Sequence, residues 1–160
     1  MHEFTLDYLR CVRCGSRLDL DVFSKDEEIN EGLLECKKCN VLFPIVSKIP
    51  ILWDDFPQYL SSRIILGGKL HRLAINEKMK KFLKNSILNS TRSDDRTALE
   101  ERWRKIYQNS KSSKFYSIIK NELKKIPDSN LALEYGCSIG LITEHLADHH
   151  EIVFGVDRSL

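Results

Sequence analysis

Cys11-Val-Arg-Cys14 and Cys36-Lys-Lys-Cys39 are two cysteine pairs that, with the stretch Phe43-Pro-Ile-Val-Ser-Lys-Ile-Pro50 after them, decide the fold of the N-terminal residues. Each two-residue spacer lets neighbouring thiolates reach one ion, and the 21 residues between the pairs suit a site built from two hairpins. Structural zinc takes four ligands in a tetrahedron. The pattern therefore predicts one structural zinc ion with four ligands: Cys11, Cys14, Cys36 and Cys39.

Other interpretations of these cysteines are buried free thiols, disulfides or a catalytic zinc site. Four thiolate ligands would leave a catalytic zinc no open position for water or substrate. The first twenty residues contain Glu3, Asp7 and Arg10 and no apolar stretch of roughly 7 residues, so we expect no secretory segment. No run approaches the about 18 apolar residues of a membrane span. We therefore expect a cytoplasmic protein, and a reducing compartment favours metal ligands over disulfides.

Short apolar runs predict a small antiparallel unit over residues 1–55. The runs Leu18–Val22, Gly32–Leu34 and Val41–Phe43 have the length and alternation of strands. Gly15 and Asn40 follow the two cysteine pairs, where turns are needed. A unit this small buries little apolar surface, and a bound metal is one of the usual ways to stabilise it.

Helical periodicity begins after this unit and extends over residues 56–126. Leu99, Trp103, Ile106 and Tyr107 fall on one helical face, and the capping-box pattern Thr97-Ala-Leu-Glu100 marks the start of that helix. A second helix is expected to start near Ser112 or Ser113, to carry the apolar positions 115–126 and to stop before Pro127. A third is expected around Leu73–Leu88, between polar breaks at 66–68 and 89–93.

The net charge of +2 is unevenly distributed. Residues 1–60 carry 7 basic and 11 acidic side chains, residues 61–126 carry 17 and 6, and residues 127–160 carry 1 and 6. A basic middle segment can face nucleic acid or another anionic partner. The alternative is a set of solvated helix faces beside acidic neighbours.

The last segment, residues 127–160, has the order strand, glycine-containing turn, helix, strand. The expected elements are a strand over Leu131–Glu134, a turn over Gly136–Gly140, a helix over Leu141–Ala147 and a strand over Ile152–Val156. This order predicts one βαβ unit.

The turn in this unit has the features of a nucleotide-like ligand site. Gly136 and Gly140 make room for ligand atoms beside the first helical N–H groups. Asp157 lies 21 residues after Gly136, at the tip of the second strand, where an acid can accept hydrogen bonds from ribose hydroxyls. A nicotinamide site and an ordinary turn without ligand are the alternatives.

Residues 6–53 resemble a known family, the small zinc-ribbon proteins that activate tRNA and other methyltransferases. The resemblance rests on Leu9-x-Cys-x-x-Cys14-Gly, Leu34-x-Cys-x-x-Cys39, Phe43-Pro-Ile and Ile49-Pro-Ile-Leu52. It implies a zinc-stabilised module that contacts a methyltransferase domain, either in trans or fused to it, and that is not itself catalytic.

The C-terminal turn resembles motif I of the class I methyltransferases that use S-adenosylmethionine (SAM). Their pattern of an acid followed by spaced small residues is met by Glu134, Gly136, Ser138 and Gly140, and Asp157 matches the acid of their second motif. Ser138 stands where the middle glycine is usual. The resemblance implies that Glu134 lies near the methionine amino group, that the small residues line the cofactor and that Asp157 holds the ribose.

We therefore predict an α+β zinc ribbon (1–55), an α-helical linker or cap segment (56–126) and the start of a Rossmann-like α/β methyltransferase domain (127–160). The expected function is that of a SAM-dependent methyltransferase, with SAM and structural zinc as cofactors, and inactive as the 160-residue chain. The alternative is a non-catalytic adaptor or activator that docks on a partner methyltransferase. The sequence assigns neither a methyl acceptor nor catalytic residues.

Overall fold

A computed structural model of the chain describes residues 1–90, 96–110 and 113–158. The described residues divide into two compact units, Met1–Thr97 and Ala98–Leu160. This division differs from the domain boundaries expected after residues 55 and 126, which stay predictions. No helix in the described part of the chain has the length and apolar content needed to cross a bilayer.

The N-terminal unit begins with an antiparallel sheet, as the alternating runs predicted. After a short 3₁₀ helix at Glu3–Asp7, its strands are β1 (Asp19–Lys25), β2 (Ile29–Cys36), β3 (Val41–Val46) and β4 (Ile49–Pro50). They pair in the order β1-β2-β3-β4. Ser47 and Lys48 connect β3 to β4, and both have positive φ, which matches the twist of a two-residue hairpin turn. The sheet brings the two cysteine pairs to one end of β2.

Three helices complete the N-terminal unit: α1 (Phe56–Ser61), α2 (Ile64–Leu73) and α3 (Glu77–Leu88). Side chains start two of them, since Asp55 accepts from the Gln58 N–H at 3.0 Å and Asn76 accepts from the Lys78 N–H at 2.9 Å. Val46 and Ile51 of the sheet region share one buried core with these helices. The sheet and the helices are therefore parts of one packed unit.

The single helix expected around Leu73–Leu88 is wrong in extent. Leu73 ends α2, and α3 begins only at Glu77. The polar break expected at 66–68 lies inside α2, where a Cβ on Gly67 would meet Ile87 Cγ1 at 3.0 Å. Glycine at this position therefore lets α2 and α3 approach closely. Residues 91–93 of the second expected break lie outside the described residues.

The C-terminal unit contains α4 (Thr97–Asn109), α5 (Lys114–Leu123), β5 (Ser129–Tyr135), α6 (Leu141–Leu146) and β6 (His150–Val156), with the division falling at the start of α4. Strands β5 and β6 pair in parallel with α6 between them in the chain, so the predicted βαβ unit is confirmed. The helix α5 was expected to start near Ser112 or Ser113, and Ser113 is its N-cap residue. Ser112 lies outside the described residues. The fold is a zinc-ribbon-like antiparallel sheet followed by helices and a parallel sheet.

Candidate functional site

The four predicted ligands lie together. Sγ atoms of Cys11, Cys14, Cys36 and Cys39 all lie within 4.8 Å of one another. Those of Cys14 and Cys36 are 3.6 Å apart. Four thiolates at about 2.3 Å from a tetrahedral zinc ion are about 3.8 Å apart, so the cluster has the size that zinc requires. Cys11 and Cys36 are buried, whereas Cys14 and Cys39 are half-buried.

Each cysteine pair is closed by a backbone hydrogen bond and is followed by a residue with positive φ. In the first, Gly15 donates to the Cys11 carbonyl at 2.8 Å, and Gly15 has φ of 69°. In the second, Cys39 donates to the Cys36 carbonyl at 3.2 Å, and Asn40 follows with φ of 53°. A left-handed residue after each pair turns the backbone back, and Gly and Asn adopt this conformation most easily. The turns predicted at both residues are confirmed.

The thiols have different acidities because their surroundings differ. Hydrogen bonding by Ser16, whose hydroxyl lies 3.2 Å from Sγ of Cys14, lowers the pKa of Cys14 to about 6. Hydrogen bonding to Cys14, together with burial, raises the pKa of Cys39 to about 12. Burial raises the pKa of Cys36. The negative charge of one thiolate therefore opposes ionisation of the neighbouring thiols. The positive charge of a bound divalent cation would offset this repulsion and allow all four thiols to ionise.

The C-terminal candidate site is the loop between β5 and α6. Gly136, Ser138 and Gly140 all have positive φ, at 80°, 51° and 79°. The N–H groups of Gly136 and Cys137 both donate to the Val156 carbonyl, at 2.7 and 3.0 Å. The loop is thus tied to the end of the neighbouring parallel strand.

The five predicted SAM contacts, Glu134, Gly136, Ser138, Gly140 and Asp157, lie in and beside this loop. The Ser138 N–H donates to Oδ2 of Asp157 at 2.8 Å, so the expected ribose acceptor already bonds the loop. The Thr143 hydroxyl donates to Glu134. The role of these residues in SAM binding stays a prediction.

A shallow cavity of about 510 Å³ lies beside this loop. Of the predicted SAM contacts, only Ser138 and Gly140 line it, together with residues such as Thr143, Val153 and Gly155. Glu134 and Asp157 do not line it. The cavity therefore does not by itself outline the cofactor site that the sequence predicted.

One face of the parallel sheet is largely uncovered in the described C-terminal unit. Leu133 is 65% exposed and Tyr135 is 91% exposed, although parallel sheets are normally covered on both faces. The predicted apolar face of α4 is also exposed, with Trp103 at 51%. Tyr107, on the same face, is 37% exposed. Tyr116 is half-buried, and burial raises its pKa.

The sequence did not predict a role for Gly155 and Thr143, which shape the loop between β5 and α6. A Cβ on Gly155 would lie 2.8 Å from Oγ1 of Thr143 and 3.2 Å from Sγ of Cys137. A side chain at this position in β6 would therefore displace Thr143, the donor to Glu134. Glycine inside a strand often marks such a close approach, and this was the available signal.

Comparison with known families finds a match in the N-terminal unit. The family model described as Trm112p-like protein matches residues 2–46. The match includes both cysteine pairs and ends with β3, so the other elements of the described residues, β4, α1 to α6, β5 and β6, lie outside it. No curated protein matches the chain. Residues 2–46 are thus similar to Trm112p-like proteins, and this similar segment contains all four thiols of the metal cluster.

Proposed function

We propose that this chain is a zinc-ribbon adaptor that docks on a methyltransferase and activates it. The observation that carries the proposal is that the family match and the metal-sized thiol cluster fall on the same residues. The Trm112p-like match covers residues 2–46, and the four thiols inside it form a cluster of zinc-binding size. Resemblance to methyltransferase activators supplies the functional part of the proposal. We place the protein in the cytoplasm, where reducing conditions keep such thiols available.

The metal has a structural role in this proposal. Cys11, Cys14, Cys36 and Cys39 would hold zinc as four thiolates, which leaves no position for water or substrate. Zinc bound there supplies folding free energy to a small sheet. The N-terminal unit then presents a fixed surface to its partner and takes no part in methyl transfer.

Activation of a methyltransferase tests the proposal. The zinc-loaded chain would be added to each class I methyltransferase of its source, and SAM-dependent product would be measured with and without it. We expect the chain alone to be inactive and one enzyme to gain activity, with no gain from the Cys36→Ser variant. Methyl transfer by the chain alone, or no gain for any enzyme, would contradict the adaptor function. The matched control is Cys137→Ser, a cysteine outside the cluster.

A second candidate function is SAM binding by the C-terminal unit, as part of a methyltransferase. It is favoured by one observation: Asp157, at the end of β6, lies 2.8 Å from a loop N–H at Ser138. Acid and loop thus meet at the carboxyl ends of neighbouring parallel strands, where ligands of such sheets bind. Glu134, Gly136 and Gly140 would complete the cofactor contacts. We assign no residue to proton transfer or to the methyl acceptor.

A further inference from the structure

Charge is segregated within the N-terminal unit. Residues 1–60 carry 7 basic and 11 acidic side chains, whereas residues 61–90 carry 7 basic side chains and only one acid, Glu77. Four of these cations are lysines of the twelve-residue helix α3. The helical part of the unit therefore has a strongly positive surface beside a negative sheet region.

Helix α3 holds its lysines outward because its other side is fixed in the core. Met79 and Leu83 are fully buried, which sets the rotation of the helix. Lys78, Lys81 and Lys84 are exposed on successive turns, and we call these three residues the α3 lysine face. They extend over about 9 Å along the helix axis, at 1.5 Å per residue.

The cations of this face are not neutralised by nearby acids. Lys81 and Lys84 form no ion pair with any carboxylate in the described ranges, whereas the neighbouring Lys80 pairs with Glu77 at 2.7 Å. The Lys78 ammonium lies 5.3 Å from the ring centroid of Phe23. Because the ring carries no net charge, the positive charge of Lys78 is not neutralised. An anionic partner would therefore meet three available positive charges.

The composition of the face distinguishes among anionic partners. Lysine is depleted in protein–protein interfaces, and α3 exposes no aromatic side chain that would anchor a protein partner. A membrane-surface helix must offer its apolar face to lipid, but Met79 and Leu83 are enclosed in the core. Phosphate groups of nucleic acid are contacted by lysine as point charges, and such contacts need no apolar anchor.

We propose that the α3 lysine face binds the phosphate backbone of nucleic acid without reading its sequence. This activity goes beyond the proposed adaptor function and does not depend on it. Lys78, Lys81 and Lys84 supply about three phosphate contacts, so the binding constant should fall with salt with a slope of about −2 for a single strand and −2.7 for a duplex.

Fluorescence anisotropy of the full zinc-loaded chain tests this proposal. The probes are labelled RNA and DNA oligonucleotides of one length, single-stranded and duplex, titrated between about 50 and 200 mM salt. We expect Lys81→Glu with Lys84→Glu to weaken binding at least about tenfold and to reduce the salt slope by about 1.4 to 1.8. The neutral pair Lys81→Gln with Lys84→Gln should give the same direction with a smaller loss. Far-UV circular dichroism and zinc content check that each variant is folded.

The matched control makes the same charge change on another helix. Lys114 and Lys124 are exposed on and directly after α5, in the C-terminal unit, so Lys114→Glu with Lys124→Glu should leave the affinity within about twofold. Equal losses for both pairs would show that binding follows net charge and would overturn the proposal. Absence of binding at the lowest salt, or equal affinity for polyglutamate of the same length, would also overturn it.

Discussion

The carboxylate of Glu31, in β2, accepts a hydrogen bond from the backbone N–H of Asn76 at 2.8 Å. Its other oxygen accepts from the N–H of Ile75 at 2.5 Å. Glu31 is only 2% exposed, so these N–H groups replace the water that its charge would otherwise require. This contact joins the sheet that carries Cys36 to the start of α3. Folding of the metal-binding sheet and of the helices is therefore coupled.

The first prediction concerns this contact. Replacing Glu31 by Gln should lower the free energy of unfolding by about 1–3 kcal/mol, because the buried charged acceptor of two part-buried N–H groups becomes a neutral amide with one acceptor oxygen. Urea denaturation followed by circular dichroism measures the change. The matched control is Glu35→Gln, an exposed carboxylate on the same strand, which should change stability by less than about 0.5 kcal/mol. Equal effects of the two substitutions would contradict a stabilising role for the hydrogen bonds of Glu31.

The second prediction is a proton count. Zinc binds thiolates, and Cys36 and Cys39 have raised pKa values, with Cys39 at about 12. Both must lose protons to the solvent at pH 7, whereas Cys14, with its pKa lowered to about 6, is already largely ionised. Zinc binding should therefore release about two or more protons per ion, and zinc affinity should rise with pH. Calorimetry in buffers of different ionisation enthalpy measures the release. A release of one proton or none would contradict the assigned ligand set.

The third prediction concerns the close approach of β6 to α6. Gly155→Ala should destabilise the C-terminal unit by about 1–3 kcal/mol, because its Cβ overlaps Oγ1 of Thr143. Gly68→Ala is the control: nothing lies within 4 Å of the added Cβ in α2, and alanine should stabilise the helix by about 0.5–1 kcal/mol. Amide hydrogen exchange measures the stability of each unit separately, because Gly155 and Gly68 lie in different units. If Gly155→Ala is neutral, the packing of Thr143 against this strand is looser than described.

The fourth prediction is that the 160-residue chain binds SAM weakly or not at all. Two parallel strands with exposed Leu133 and Tyr135 form a marginal support for a ligand site. The acceptor Asp157 must also exchange its bond to the Ser138 N–H for one to the ligand. Calorimetric titration of SAM measures the affinity. A dissociation constant of a few micromolar, lost in Asp157→Ala, would instead favour the methyltransferase candidate.

Local sequence predicted the strands and the metal cluster well. Alternation of period two located β1, β2 and β3. The spacing of the cysteines correctly predicted that their four thiols lie together. It missed β4, which has only two residues and follows a turn at Ser47 and Lys48 without the usual glycine. A strand as short as β4 forms only because β3 is already in place to pair with it.

Tertiary contacts explain what the pattern could not predict in the helices. The break between α2 and α3 coincides with Ile75 and Asn76, whose N–H groups bond the distant Glu31. Periodicity located α4 correctly but did not show that Trp103 on its apolar face would be exposed. A periodic pattern predicts which face is apolar, and only the packed structure shows what covers that face.

The metal content of the chain shows directly whether its four clustered cysteines hold zinc. Native mass spectrometry of the chain prepared without chelator, beside its Cys36→Ser and Cys137→Ser variants, measures zinc and folding together. We expect one zinc ion per chain in the parent and in Cys137→Ser, and loss of zinc with a shift to highly charged, unfolded ions in Cys36→Ser. A folded parent chain without zinc, or a Cys36→Ser variant that keeps both its zinc and its fold, would contradict a structural zinc site at these cysteines.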